Sequence, residues 1–164
     1  MIKKSLVLLI LFIILVVVIY AQSETEQGED FWFGIGGEAS SYSLSGFAYG
    51  GSFSLGFGTG TSIGIKTIWF FNSENIDIIE LIFFFRYYLQ GLASNSGPFI
   101  QIMGGSSLFF NSGDFSIPFD LGIISAGLSF GWRFLFSDRW FVEPAVRAGF
   151  PYMIGAGISA GVRF

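Results

Sequence analysis

Eight charged side chains stand inside segments that are otherwise apolar or rich in Gly and Ser: Glu38, Lys66, Glu80, Arg86, Arg133, Glu143, Arg147 and Arg163. Three carboxylates and five cations could do acid–base work, pass ions, or simply pair with one another. The chain has no His and no Cys. The usual general base at neutral pH, the commonest metal ligand and any thiolate chemistry are therefore missing. The simpler role for the eight charges is a network that holds the fold together; a proton or ion pathway is the alternative. No cofactor is expected.

Three motif matches lose their meaning in context. Gly155-Ala-Gly157-Ile-Ser-Ala160 fits the dinucleotide-binding pattern, but that pattern needs a following helix and only four residues remain. Gly157-Ile-Ser159-Ala-Gly161 fits a nucleophile elbow, yet no His exists to activate Ser159. Gly157 and Gly161 have the spacing of a helix-dimer motif, but the segment alternates with period two. Asp114 and Asp120 are a weak candidate for a divalent cation, since spaced acids are more often solvated.

The elements that carry these residues are read from alternation, because successive side chains of a strand point to opposite faces. The last twelve residues show it best. Ile154, Ala156, Ile158, Ala160, Val162 and Phe164 share one face; Met153, Gly155, Gly157, Ser159, Gly161 and Arg163 share the other. Seven earlier segments repeat the pattern: Phe31–Glu38, Gly46–Phe57, Ser62–Phe71, Ile78–Leu89, Phe99–Phe109, Gly122–Phe134 and Trp140–Phe150. Pro144 cannot donate to a ladder, so a bulge or local distortion is expected there. Turns are expected at Gly58–Thr61, Gln90–Gly97 and Leu135–Arg139, and loops at Ala39–Ser45, Asn72–Asp77, Phe110–Leu121 and Pro151–Tyr152.

In every segment that carries a charge, the charge falls on the face of small residues. Small residues suit a narrow interior, and the greasy face must then look outward into something equally apolar. A charge facing a bilayer midplane costs about 2–4 kcal/mol. The pattern therefore predicts an all-β fold: a closed, eight-stranded, antiparallel, up-and-down transmembrane β-barrel. An even strand count puts both chain ends on the side of the short turns. Phe57, Tyr87, Trp132, Trp140 and Phe164 fall near that side, and Tyr49, Trp69, Phe71 and Phe150 near the other, as two interfacial belts would. Inside, Glu143 is expected to cluster with Arg133 and Arg163 on the flanking strands.

The composition agrees. Of 164 residues 52% are hydrophobic and only 12% charged, against about a quarter in ordinary soluble domains. Residues 1–21 read as a signal peptide, with Lys3 and Lys4 before an apolar run from Leu6 to Ile19 and a small Ala21. Residues 22–30 form an acidic, flexible lead-in, and residues 31–164 the barrel. Losing Lys3 and Lys4 takes the formal charge from −4 to −6, and no nucleic-acid partner is expected.

With these features in hand, the chain resembles the small eight-stranded outer-membrane β-barrel family of the OmpA/OmpX type. The features are the export signal, the alternating strands and the terminal Phe164 with Val162, Ala160 and Ile158 behind it. The resemblance implies a monomer in a bacterial outer membrane, with both mature ends in the periplasm. It also implies that Ile158, Ala160, Val162 and Phe164 form the tag read by the barrel-insertion machinery, and that outer-membrane lipid is the surrounding partner. A non-enzymatic structural or surface-interaction role is the first expectation. The alternatives are a narrow passive channel, a lipid-modifying membrane enzyme and a soluble ligand-binding barrel with the Phe-rich face inside.

Overall fold

A computed structural model describes residues 31–43, 46–72, 76–90, 95–111, 122–137 and 139–164. The expected signal peptide, the acidic lead-in, Asp114 and Asp120 lie outside these residues. Eight strands run in chain order: β1 (Phe31–Tyr42), β2 (Gly46–Phe57), β3 (Thr61–Asn72), β4 (Ile76–Tyr88), β5 (Gly97–Asn111), β6 (Gly122–Phe136), β7 (Trp140–Phe150) and β8 (Tyr152–Arg163). Each is antiparallel to its neighbour, and β8 pairs with β1 to close the barrel.

Closure is staggered. Following paired residues around the wall leads from Phe31 through Phe57, Ile63, Phe85, Ile102, Leu128, Ala148 and Ile154 to Ser41. The circuit returns to β1 ten residues beyond its start, from 31 to 41. Stagger of this kind tilts the strands and leaves an interior just wide enough for side chains to fill.

The strands are longer than alternation alone suggested. β1 runs on from Glu38 to Tyr42, because Ala39 and Ser41 stay paired with Tyr49 and Phe47 of β2. Most of the loop expected at Ala39–Ser45 is therefore wall. At the other end, Gly58 and Gly60 take positive φ, which only glycine adopts cheaply, and allow a tight β2–β3 turn.

Two local expectations can be set against the strand pairing. Pro144 makes no bulge: β7 keeps one register with β8 through Glu143↔Ser159, Pro144↔Ile158 and Ala145↔Gly157. The local distortion expected as the alternative is a gap in the ladder to β6, whose register is the same on both sides but whose pairing is interrupted where Trp132 and Arg133 face Pro144 and Glu143. The shift occurs instead where Ser41 faces Ile154 and Tyr42 faces Tyr152. Met153 is the extra residue and stands 63% exposed, whereas Tyr152 turns inward and is 1% exposed. Strict alternation had put Met153 inside and Tyr152 in a loop. A one-residue bulge reverses the phase of everything beyond it.

The wall is inside-out relative to a soluble protein. Phe83 is 63% exposed, and Leu128 and Ile158 58% each, along with most large apolar side chains on the same face of the strands. The interior differs from the expected crowd of Gly, Ser and ions, because large rings fill much of it. Trp32, Tyr42, Phe70, Phe84, Tyr88, Phe99, Phe141 and Tyr152 are all buried. They fit because glycines face them: a Cβ on Gly56 would strike the Trp32 indole, and one on Gly161 the Phe141 ring.

Candidate functional site

The lumen brings seven of the eight charges into two clusters along the barrel axis. The first lies toward the chain ends and centres on Glu143, which β7 carries three residues from its start. Arg86 on β4 reaches across, donating from Nη1 to Glu143 Oε1 at 2.6 Å and from Nη2 to Oε2 at 3.3 Å. Its Nε donates to Gln101 Oε1 at 3.0 Å, and Nη1 also reaches the Tyr88 hydroxyl at 3.0 Å. Arg133 on β6 donates from Nε to the same Glu143 oxygen that Arg86 Nη1 contacts. Rings enclose both guanidiniums: Arg86 lies 4.0 Å from the Phe99 centroid, and Arg133 4.0 Å from Phe141 and 4.3 Å from Trp32. Such contacts are strongest where water is excluded.

The second cluster lies toward the opposite end. Arg147 on β7 donates to Glu80 Oε2 at 2.5 Å and approaches Glu38 Oε2 at 3.5 Å. Lys66 on β3 forms an ion pair with Glu38. Ser40 Oγ accepts from Arg147 Nη2 at 2.8 Å. Glu80 receives the Tyr42 hydroxyl at 2.7 Å and Ser107 Oγ at 3.3 Å. Two cations thus face two carboxylates, with hydroxyls filling the remaining acceptor positions.

A cavity of about 30 Å³ separates the clusters, lined in part by Glu38, Lys66, Arg147, Arg86, Gln101 and Glu143. That is room for about two waters. Aromatic rings crowd both ends of the lumen. Tyr42 packs edge-on against Phe70, Phe109 and Tyr152 with centroids 5.5, 6.2 and 6.4 Å away. At the other end Trp32 lies 5.8 Å from Phe84 and 5.7 Å from Phe141.

Glu143 was expected between Arg133 and Arg163. The structure supplies Arg86 as its second guanidinium, from across the lumen rather than from an adjacent strand. Arg163 sits half-buried at the end of β8, opposite Trp32, where its backbone N–H donates to the Arg139 carbonyl at 2.8 Å. Ile158, Ala160, Val162 and Phe164 lie on the outer wall at the closing seam. The Phe164 ring lies 6.0 Å from Phe31 and 6.1 Å from Phe33, and its N–H donates to the Phe31 carbonyl at 2.8 Å. Tyr42, Tyr88 and Ser40 are network members that the charges alone did not reveal. Ser40 and Tyr42 continue the inner parity of Glu38, so extending the first segment would have found them, and Tyr88 already lay within Ile78–Leu89 on the parity of Arg86. Among the described residues, no three His, Cys, Asp or Glu gather closely enough to hold a metal ion.

The barrel fold has counterparts among solved structures. Neisserial surface protein A superposes with a TM-score of 0.55 at 15% identity, covering 84% of this chain and 96% of that one. The N-terminal β-barrel domain of Pseudomonas aeruginosa OprF gives 0.52 at 14% identity, covering 84% and 98%. The fold is that of the small eight-stranded outer-membrane barrels. Identity this low speaks to the fold alone. No protein-family model and no curated protein matches the sequence.

Proposed function

We propose that the chain is an integral outer-membrane β-barrel with a structural or surface-interaction role and no catalytic site. The observation that carries this reading is the sorting of the wall: large apolar side chains exposed outside, ionised groups paired inside. In water that outer surface would be a severe aggregation hazard. In a bilayer it is the required lipid contact, with Trp69, Phe71, Trp132 and Trp140 suited to the two interfaces. Outer-membrane lipid is then the permanent partner and the barrel is a monomer. Ile158, Ala160, Val162 and Phe164 serve the insertion machinery, and both mature ends face the periplasm. The seven charges of the two lumen clusters act as a fold-holding network.

A narrow channel is the second reading. The cavity between the clusters favours it, but the ring clusters and the bridged arginines oppose it, and water-filled pores usually need about 16 strands. Cell fractionation with heated and unheated gel lanes tests the first reading. The expected result is an outer-membrane species that runs compactly until boiled. A protein soluble without detergent would refute it.

A further inference from the structure

We propose that the chain-end half of the lumen is a binding site for one small monovalent anion, of halide size, held by Arg133 and Trp32. The first observation is charge. Two guanidiniums, Arg86 and Arg133, share the single carboxylate of Glu143, whereas the other cluster matches Lys66 and Arg147 with Glu38 and Glu80. One positive charge in the Glu143 cluster thus has no counter-charge among the residues that contact it. A buried charge is tolerated only when paired and hydrogen-bonded.

The second observation is a set of donors. Arg86 uses Nε, Nη1 and Nη2 on Gln101, Tyr88 and Glu143. Arg133 uses only Nε, although the residue is 1% exposed, and its Nη1 and Nη2 have no partner among the described residues. The indole Nε1 of Trp32, on a fully buried side chain, likewise has none among the described residues. The Arg133 guanidinium lies 4.3 Å from the Trp32 ring, so these donors belong to one neighbourhood.

Chemistry narrows the ligand. Guanidinium and indole are donors only, so the complement is a pure acceptor. The excess is one positive charge, so a halide neutralises it, whereas sulfate would reverse it and is bulkier. Water would satisfy the donors but leave the charge. Because the site is enclosed, the ion should enter during folding rather than exchange freely.

The test is to refold the full mature chain in detergent with sodium chloride, sodium bromide or sodium gluconate at one ionic strength, and to measure thermal unfolding. Crystals grown in bromide would be examined for anomalous scattering. The expected result is a saturable rise in unfolding temperature with either halide over gluconate. A bromide peak should lie within hydrogen-bond reach of Arg133 and Trp32. Trp32→Phe keeps the ring and loses the N–H, so it should shrink the halide shift; Arg133→Met should abolish it. Unfolding that ignores the anion, water density in place of bromide, or a shift undiminished in Trp32→Phe would each overturn the proposal. If Arg133→Met does not fold, wild type and Trp32→Phe still decide the matter.

Discussion

Removing the carboxylate of Glu143 should be among the most damaging changes to the lumen. Its two oxygens take hydrogen bonds from Arg86 and Arg133, and all three side chains are almost completely buried. Glu143→Ala therefore strands two like charges in a dry interior. Deleting one partner of a buried pair costs about 3–5 kcal/mol, and with two partners orphaned the upper part of that range is expected. Lys66→Met is the internal comparison. Lys66 retains 20% of its side-chain exposure and leaves Glu38 with Arg147 at 3.5 Å, so about 1 kcal/mol is expected. A triple variant, Glu143→Met, Arg86→Met and Arg133→Met, removes the charges together. Apolar replacement of a buried ionic group is often neutral or stabilising by about 1–4 kcal/mol. The triple variant should thus recover most of what Glu143→Ala loses. The assay is reversible urea unfolding in lipid vesicles, followed by tryptophan emission. A loss below about 1 kcal/mol for Glu143→Ala, in the range of solvated pairs, would refute the claim of a dry cluster.

Three further outcomes follow from the same geometry. Leu128→Arg, on the outer wall at mid-strand, should cost about 2–4 kcal/mol in vesicle refolding, whereas Trp140→Arg at the wall's end should lose about 1 kcal/mol or less in charge burial. Gly56→Val drives a branched side chain into the Trp32 indole and should destabilise by about 1–3 kcal/mol; unchanged stability would mean that Trp32 does not fill the lumen there. In planar bilayers the wild-type chain should show no sustained conductance, and only paired truncations such as Trp32→Ala with Tyr42→Ala should open a path. Steady wild-type currents would favour the channel.

The barrel was legible because lipid imposes a severe rule on one face. In the segments read from the sequence every charge fell on the same parity as Gly and Ser, and that sorting foretold which face turns outward; Asp77, near the start of the longer β4, has the other parity. The occupants of the interior were harder to read. β4 is apolar on both faces, so only Glu80 and Arg86 mark the parity on which Ile78, Ile82 and Phe84 point inward, and nothing in the strand shows that these large side chains would be filling the lumen. The partnership of Arg86 with Glu143 was hidden for another reason. Side chains meet across the lumen according to tilt and the ten-residue stagger, which no single strand displays. The phase reversal at Met153 was also hard to read, since Tyr152, Met153 and Ile154 are all large and apolar and do not show which neighbour is the extra residue.

The inside-out wall itself is best tested on β4, in a chain that contains no native Cys. Single cysteines at positions 81 to 86 would carry spin labels in a reconstituted bilayer. Their collisions with membrane-dissolved oxygen would then be measured. Labels at Leu81, Phe83 and Phe85 should be strongly accessible and those at Ile82, Phe84 and Arg86 weakly so, with a period of two. The opposite phase, or uniform exposure to a water-soluble relaxing agent, would contradict the account.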